Sequence, residues 1–571
     1  MKSSTRSSLK RSNLNLPLRK SHSFEQTRPH AKLRSGRLTQ LASGLALAGA
    51  LLPAGQAVAS DAEAENLIRS KCLICHSEEQ AEPATFSRMS HQRKTPEGWL
   101  MTIGRMQVMH GLQISDQDRR KLVKYFADNQ GLAPEETEGA RYAMERRLNT
   151  MENFESAQFT EMCARCHSGA RVALQRRPAA EWENLIHFHL GQWPSLEYQA
   201  LSRDRDWFKL ALEEMVPELT ADFPLQSASW EQWQKKAKQP LGGQWSFAAQ
   251  MPAKGDAHGV MTVSQTGHDQ YKVSISGQYA DGSLLKGSGT AIVYTGYEWR
   301  ANLTVDGVKM RQVFAASADG NQLTGRMFEA VHDEAGMDFI AARQSQQQTL
   351  LSVQPQFIKA GSTQMVTLVG TGLDQKGLDK KVSLGKGVEV VSVIAQDANR
   401  LVLRVKAQAK AAPGLRQVKA GKANGATLTV YDRIDSLKVI PEYSVARVGG
   451  NGGSTPKYNA HFQAEAWGNG ADGKPGTADD LRIGFVPAKW HVEPFDEAAK
   501  ADRDVEFTGS MNPNTGMFTT AAAGPNPKRR MSTNNAGNLK VVAKVTDEGQ
   551  QVSGDGQLIV TVQRWNNPPL P

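Results

Sequence analysis

Cysteine is scarce in this chain, and that scarcity excludes a fold held together by disulfides. Only four cysteines occur in 571 residues, and all four lie in two close pairs of the form C-x-x-C. No cysteine is left over to form a bridge elsewhere, so ordinary hydrophobic cores must hold the chain together. At about 150 residues per domain, the length predicts three to four such cores.

Net charge is also nearly absent once the first 59 residues are set aside. The whole chain has a formal charge of +10, but residues 1–59 contain ten basic residues and one acid. The remainder therefore has only about one net positive charge. Phosphate binding needs a persistent basic surface, so we expect no nucleic-acid partner.

A long apolar run is missing as well. The run at residues 41–52 has about a dozen residues, whereas a membrane span needs about 20. It follows a basic segment and precedes Ala57 and Ala59, which are small residues of the kind found at signal-peptidase sites. We therefore expect a signal peptide over residues 1–59, cleaved after Ala59, and no membrane span. A membrane anchor is the alternative.

The two cysteine pairs carry the strongest chemical signal. Each pair is followed directly by a histidine, in Cys72-Leu-Ile-Cys75-His76 and in Cys163-Ala-Arg-Cys166-His167. C-x-x-C-H is the attachment signature of c-type haem, in which both cysteines bind the haem covalently and the histidine is the proximal iron ligand. A single motif could also be a redox pair or half a zinc site. Two copies that both end in histidine predict two covalently bound haems.

An internal repeat downstream of each motif indicates the distal ligands. When Trp99 is aligned with Trp182, Ile103 lies opposite Ile186 and Met106 lies opposite His189. Each segment opens with a proline, which suits a helix N-terminus, and continues with apolar residues at helical spacing. The repeat therefore predicts two copies of one small cytochrome unit, with iron ligand pairs His76/Met106 and His167/His189.

Neighbouring residues compete for the distal positions. Met101 and Met109 are alternatives to Met106, and Met109 lies one helical turn away from it. His187 is an alternative to His189, although residues two apart on a helix point to different sides. A Met/His pair raises the reduction potential, so we expect electrons to enter at the second haem and leave from the first.

Beyond residue 225 the hydrophobic period changes from helical to two residues. Alternating runs separated by glycine-containing turns predict antiparallel strands. The predicted fold class is a multidomain protein with an α part followed by all-β parts. We expect a helical dihaem cytochrome c domain at residues 60–227, an antiparallel β-barrel at 228–345, and immunoglobulin-like β-sandwiches at 346–432 and 433–571.

One loop of the last unit places three carboxylates among glycines. Asp472, Asp479 and Asp480 could hold calcium through oxygen ligands. Their spacing does not match an EF-hand, and Asp-Gly is common in turns, so a turn is the alternative. No Ser/His/Asp triad, P-loop or zinc signature occurs in the β part.

Two C-x-x-C-H motifs on Pro…Trp…Met106 and Pro…Trp…His189 segments, followed by three β units, resemble the α subunit of quinohemoprotein amine dehydrogenase. The resemblance covers the mature chain and implies a periplasmic heterotrimer with a propeller β subunit and a small γ subunit. It also implies that primary amines become aldehydes and ammonia at a cysteine tryptophylquinone in γ. Electrons would then pass through the α haems to a soluble acceptor such as a cytochrome c or a blue copper protein.

The composition agrees with this implication, because no cysteine of the chain is free to build such a quinone. We therefore expect no catalytic residue for amine oxidation here. The alternatives are a dihaem subunit of another periplasmic dehydrogenase, a dihaem cytochrome peroxidase, an enzyme that matures protein cofactors, and an envelope-binding protein. A peroxidase needs an open iron position, and a distal His189 argues against one.

Overall fold

The fold is described from a computed structural model, which covers residues 61–145, 152–199, 201–344, 347–450, 456–529 and 534–562. The signal peptide expected over residues 1–59, with its cleavage site after Ala59, lies outside these residues. Within them, every helix is too short or too polar to cross a lipid bilayer.

The first part of the chain is helical, and its helices begin at capping residues that the sequence supplies. The Thr95 hydroxyl accepts from the Gly98 amide at 3.3 Å, and Pro96 follows as the first helical residue. Ser115 caps the next long helix by accepting from the Asp118 amide at 3.0 Å, as the spacing Ser115-x-x-Asp118 predicts. The helices are α1 (Asp61–Lys71), α2 (Pro96–His110), α3 (Asp116–Asn129), α4 (Pro134–Thr137), α5 (Ala157–Phe159), α6 (Ala170–Ala173), α7 (Ala179–Gln192), α8 (Trp207–Leu210), α9 (Val216–Asp222) and α10 (Ala228–Lys235).

Short irregular helices and strands connect these elements. Two segments wind as π-helix, Thr160–Ala164 and Ala211–Met215, and two wind as 3-10 helix, Arg141–Met144 and Leu196–Tyr198. One hairpin and one pair of two-residue strands complete this part. Their strands are β1 (Glu78–Ala81), β2 (Ala84–Phe86), β3 (Arg93–Lys94) and β4 (Gln175–Arg176).

Eight antiparallel strands then close into a barrel, in which the last strand pairs with the first and Arg343 lies opposite Trp245. The interior is filled by large side chains, including the fully buried Phe247, Trp299 and Phe314. The Asp306-Gly307 turn has φ values of 50° and 82°, the positive pair that a tight hairpin requires. The strands are β5 (Gly243–Met251), β6 (Gly255–Gly267), β7 (Gln270–Tyr279), β8 (Leu284–Tyr294), β9 (Glu298–Val305), β10 (Val308–Ala316), β11 (Gln322–Glu329) and β12 (Gly336–Arg343).

A β-sandwich follows the barrel. Its two four-stranded sheets have the orders β13-β15-β18-β17 and β14-β20-β19-β16, and aliphatic residues such as Leu368 and Leu403 fill the space between them. The strands are β13 (Thr349–Gln354), β14 (Phe357–Lys359), β15 (Thr363–Thr371), β16 (Val382–Ser383), β17 (Val388–Gln396), β18 (Arg400–Ala407), β19 (Gly414–Ala420) and β20 (Ala423–Tyr431); a 3-10 turn spans Asp379–Lys381.

The last part is a further β-sandwich, built from sheets of orders β21-β24-β25, β22-β30-β29-β26 and β23-β28-β27 around Phe462, Trp490 and Phe518. The strands are β21 (Ser436–Ile440), β22 (Tyr443–Arg447), β23 (Ala460–His461), β24 (Gln463–Gly468), β25 (Leu481–Val486), β26 (Lys489–Pro494), β27 (Gly509–Met511), β28 (Met517–Thr520), β29 (Gly537–Asp547) and β30 (Gln550–Thr561), with helices α11 (Glu497–Ala501) and α12 (Asp504–Phe507). The expected fold class, a helical part followed by a barrel and two sandwiches, is confirmed.

Buried polar contacts fix the barrel against the helical part. The Thr295 hydroxyl donates to the Ala127 carbonyl at 2.9 Å, and the Tyr297 hydroxyl donates to the Leu132 carbonyl at 3.1 Å. Arg300 on β9 pairs with Glu97 of α2 at 2.7 Å, and Arg300 is largely buried. Because buried charges need partners, these contacts tie α2 and α3 to the barrel surface in one orientation.

Candidate haem sites

The first C-x-x-C-H motif is a helical turn that directly continues α1. The amides of Cys75 and His76 both donate to the Cys72 carbonyl, at 3.1 and 3.0 Å. This turn brings both thiols to the end of one helix, with the imidazole next to them. Cys72 is half-buried and Cys75 is exposed, and burial raises the pKa of the Cys72 thiol to about 11.

The second motif begins in a π-turn. Cys163 lies in the segment Thr160–Ala164, and its half-buried thiol belongs to the hydrophobic cluster of this unit. Burial, with a further contribution from the charge of Glu218, raises the pKa of the Cys163 thiol to about 12. Single π-turns within helices are frequent at functional sites, which agrees with a motif that must present two sulfurs and an imidazole together.

Backbone carbonyls orient all three of the candidate histidine ligands. Nδ1 of His76 contacts the Ser87 carbonyl at 3.0 Å, that of His167 contacts the Ser168 carbonyl at 2.9 Å, and that of His189 contacts the Leu185 carbonyl at 2.8 Å. Since a carbonyl only accepts, each Nδ1 carries the proton, and Nε2 is left with its lone pair. This is the arrangement that iron-ligating histidines show, with the second nitrogen held by an outer partner.

The structure brings His167 and His189 together. Burial, together with the charges of Arg171 and His189, lowers the pKa of His167 to about 4. Burial also lowers the pKa of His189. Both rings are therefore neutral near pH 7 and able to bind a metal. The alternative ligand, His187, has a side chain that is 56% exposed and faces Glu183.

The three candidate methionines have different surroundings. Met106 is half-buried on the last turn of α2, whereas Met109 is 53% exposed. The sulfur of Met101 accepts a hydrogen bond from Arg171 at 3.2 Å and is thus directed toward the second unit. These positions favour Met106 over both alternatives as the partner of His76, and this assignment stays a prediction.

The repeated residues lie in two separate hydrophobic clusters, each of which contains one tryptophan and one isoleucine of the repeat and one cysteine of a motif. Trp99 and Ile103 are buried in one cluster, which also contains Cys72. Trp182 and Ile186 are buried in the other, which also contains Cys163. Each cluster thus joins a C-x-x-C-H motif to its own Pro…Trp helix, which is the organisation expected of two copies of one unit.

The two units meet where β3 of one pairs with β4 of the other, so that equivalent residues lie opposite each other. The sequence did not reveal this contact. Strands β3 and β4 pair antiparallel with Arg93 opposite Arg176, and these two residues are as far apart in sequence as Trp99 and Trp182. Glu136 binds both arginines from the centre. Its carboxylate accepts from Arg93 at 2.7 and 2.8 Å and from Arg176 at 3.1 Å. A buried three-residue network therefore fixes one unit against the other.

Further basic residues gather beside this junction, and sequence reasoning missed them. Lys94 and Arg177 are buried, and the guanidinium of Arg105 lies 5.6 Å from the ring centre of Phe188. The repeat contained a signal for them, because the alignment that pairs the two tryptophans also pairs Lys94 with Arg177.

The donor set fits haem better than a bare metal ion. Among the described residues, no group of three or more histidine, cysteine and acidic side chains is arranged to hold a metal. A structural zinc ion needs four ligands, and the described residues do not supply the third and fourth ligands beside either cysteine pair. Two thiols on one turn, a neighbouring imidazole and an oriented distal ligand are the set that a c-type haem uses.

The acidic loop of the last sandwich is arranged as a turn. An Asp480 oxygen accepts from the Gly476 amide at 2.6 Å, and an Asp479 oxygen accepts from the Thr477 hydroxyl at 2.8 Å. Asp472 accepts from the Lys474 amide at 2.8 Å. The carboxylates thus bind their own loop, which favours the turn over calcium.

Comparisons with known proteins agree along the chain. The model of the haem-binding region of the quinohemoprotein amine dehydrogenase α subunit matches residues 62–230. The models of domains II, III and IV of that subunit match residues 238–344, 347–432 and 437–570. A search of curated proteins finds no match.

Two solved structures resemble parts of this chain. The redesigned β-barrel mFAP1, bound to DFHBI, is 19% identical over 18% of this chain and 94% of its own, with a TM-score of 0.16. A chimeric titin Z1Z2 is 15% identical over 37% of this chain and 94% of its own, with a TM-score of 0.15. The four family matches, together with the helical part, barrel and sandwiches, show that the chain belongs to the family of quinohemoprotein amine dehydrogenase α subunits, the haem-binding subunits of an oxidoreductase.

Proposed function

We propose that this chain is the electron-transfer subunit of its dehydrogenase and binds two haems covalently. Cys72 and Cys75 would hold one haem, and Cys163 and Cys166 would hold the other. Bound haem supplies one-electron redox chemistry. The chain's own residues would fix the iron ligands, keep water from the haem faces, and hold the two units at one distance.

The observation that carries this proposal is the pairing of His167 and His189. Both rings are neutral near pH 7, their Nδ1 atoms are held by carbonyls at 2.9 and 2.8 Å, and His189 lies near enough to His167 to affect its pKa. Two such ligands would close both axial positions of one iron. A closed iron transfers electrons without binding oxidant, which disfavours the peroxidase and cofactor-maturation alternatives.

The ligand types also give the proposed direction of transfer. We assign His76 and Met106 to the first iron, and a Met/His pair raises the reduction potential relative to a bis-His pair. The second site would thus receive electrons first, and the first site would deliver them to a soluble periplasmic acceptor such as a cytochrome c or a blue copper protein.

The oxidation of the amine would take place in another subunit. All four cysteines lie in the haem motifs, so the chain has none from which to build a cysteine tryptophylquinone. We therefore propose a periplasmic heterotrimer, in which a small γ subunit carries the quinone, a propeller forms β, and the β-sheet parts of this chain support them. The signal peptide would direct export of the chain and would then be cleaved after Ala59.

Haem content and ferric spectra test the first part of this proposal. A pyridine haemochrome assay on the purified full chain should give two haems per chain, which remain attached after denaturation. Ser substitution of Cys163 and Cys166 together should remove one of them. A chain that loses both haems on denaturation would contradict covalent attachment.

Copurification tests the assembly. The chain expressed with its native neighbours should carry a small companion with a tryptophan-derived quinone, and amine should reduce the haems of this complex. The isolated chain should show no reduction by amine, because it lacks the quinone. Reduction of the isolated chain by amine would place the chemistry here and refute the proposal.

A further inference from the structure

Basic side chains gather between the two haem units without enough acids to balance them. Lys94 and Arg177 are 4% and 5% exposed, and Arg105 and Arg171 are half-buried. Among the described residues, Glu181 is the carboxylate that reaches this group; it lies 3.6 Å from Arg177 and also binds the more exposed Arg88 at 3.2 Å. We call Lys94, Arg105, Arg171 and Arg177 the basic cluster.

The remaining contacts of the basic cluster are to neutral groups. The Lys94 ammonium donates to the Thr102 hydroxyl at 2.7 Å, and Arg171 donates to the sulfur of Met101 at 3.2 Å. Arg105 stacks on the ring of Phe188. Arginine stays protonated in proteins, and a buried charge without a counter-ion is unfavourable. Burial, with the charges of Arg177 and Arg105, holds the pKa of Lys94 well below its usual value.

Two buried donors beside this cluster have no acceptor in the described structure. They are Nε of Arg177 and Nε1 of Trp182. The guanidinium carbon of Arg177 lies 5.7 Å from the centre of the Trp182 ring, so the two donors belong to one locality. Trp99, the equivalent of Trp182 in the first unit, donates from Nε1 to the Gln130 carbonyl at 3.1 Å. Among the residues that the structure describes, the second unit thus supplies no acceptor equivalent to the backbone carbonyl of the first unit.

The basic cluster faces the second haem site. The charges of Arg105, Arg171 and Arg177 all act on His189, and that of Arg171 acts on His167. Trp182 and His189 both lie on α7, and Arg177 lies just before that helix. An anion that satisfied the free donors would therefore sit next to the porphyrin that His167 and His189 hold.

We propose that the basic cluster, with Nε of Arg177 and Nε1 of Trp182, binds the propionate carboxylates of the haem at the His167/His189 site. This inference rests on the proposed function, because it takes that haem as bound. Haem carries two propionates on one edge; a guanidinium forms the short, strong bonds that carboxylates accept, and an indole N–H is a further, neutral donor. The site is also too buried to exchange a solvent anion freely.

The binding has a consequence for the redox chemistry of the second haem. Positive charge near an iron favours its reduced form, which is the less positive of the two. Removing one cation should therefore lower the reduction potential. For Arg177→Gln we expect the reduction equilibrium constant of the bis-His haem to fall about tenfold, which is about 59 mV for a one-electron couple.

Spectroelectrochemistry and infrared difference spectra of the two-haem protein test this inference. Arg177→Gln should produce the tenfold fall, Arg177→Lys should restore most of it, and the exposed Arg203→Gln of the same unit should leave the constant unchanged because solvent and salt screen that charge. Trp182→Phe, which removes one neutral donor, should shift the propionate carboxylate bands recorded on reduction. It provides a second test if Arg177→Gln does not fold.

The outcomes separate this inference from the proposed function. Two covalent haems with unchanged potential and unchanged carboxylate bands in Arg177→Gln and Trp182→Phe would overturn the inference alone. A chain without covalent haem would overturn both. Added inorganic phosphate should leave the wild-type potential unchanged; a phosphate-dependent potential would show that the cluster holds a solvent anion instead of the propionates.

Discussion

The carboxylate of Glu136 links the two units that contain the C-x-x-C-H motifs, and its removal is the sharpest test of how the structure holds them. Its side chain is 5% exposed and accepts from Arg93, Arg176, the Ser227 hydroxyl at 2.9 Å and the Ala133 amide at 2.8 Å. Glu136→Gln keeps the shape but removes the charge. The amide N–H group of the new glutamine would also face Arg93 and Arg176, whose side chains have only donors and cannot accept a hydrogen bond from it.

The loss of stability in Glu136→Gln follows from the two buried arginines that lose their charged partner. Arg93 and Arg176 are 3% and 6% exposed, so neither can recover its hydration without opening the junction. Breaking a buried pair by removing one partner costs about 3–5 kcal/mol. At a urea slope near 2 kcal/mol per M, the unfolding midpoint of the haem region should fall by about 1.5–2.5 M.

The dependence on pH has a definite sign. Burial alone would raise the pKa of Glu136, but hydrogen bonds and charges from Arg93 and Arg176 outweigh it and hold the pKa below its usual 4.5. The stabilisation is therefore complete above about pH 4.5 and is lost as the pH falls through the folded-state pKa. The difference between wild type and Glu136→Gln should shrink in acid.

Urea unfolding followed by haem absorbance measures this effect. Glu135→Gln is the matched control, because Glu135 is the exposed neighbour on the same short helix, and it should move the midpoint little. If Glu136→Gln unfolds at the same urea concentration as Glu135→Gln at neutral pH, the network does not fix the two units together and the argument fails.

Five further variants test three assignments. Met106→Ala should abolish the Met-to-iron absorption of one ferric haem, whereas Met109→Ala should leave it intact. The reverse result would show that Met109 is the ligand and that the repeat alignment is wrong by one helical turn. His189→Ala should open one iron to cyanide, and His187→Ala should not. Cyanide binding to the His187→Ala protein alone would show that His187, and not His189, is the distal ligand. Burial raises the pKa of Glu298 to about 7, so its ionisation costs stability as the pH rises from 4.5 through 7. Glu298→Gln should raise the melting temperature at about pH 8 more than at about pH 5, and an equal shift at both would refute the raised pKa.

Much of the fold could be predicted because its signals are local. The caps at Thr95 and Ser115, the Asp306-Gly307 turn and the alternating strands each depend on a few neighbouring residues. The cysteine pairs and the Trp99/Trp182 repeat likewise indicate chemistry without knowledge of the fold.

The parts that could not be predicted depend on contacts between distant segments. In the sequence, nothing distinguishes Glu136 from an ordinary helix residue. Its role depends on the pairing of β3 with β4, which brings Arg93 and Arg176 to it. Arg177 also meets a segment that is distant in sequence, because its amide donates to the Phe223 carbonyl at 3.2 Å and it forms a bridge with Pro224. Closure of the barrel, with Arg343 opposite Trp245, depends in the same way on the two ends of that part meeting.

The central claim is that both irons are closed on both axial sides, and electron paramagnetic resonance of the ferric two-haem protein with and without cyanide tests it most directly. The account predicts two low-spin signals, one from a Met/His haem and one from a bis-His haem, that cyanide leaves unchanged. A high-spin signal at the second site that cyanide converts would contradict it.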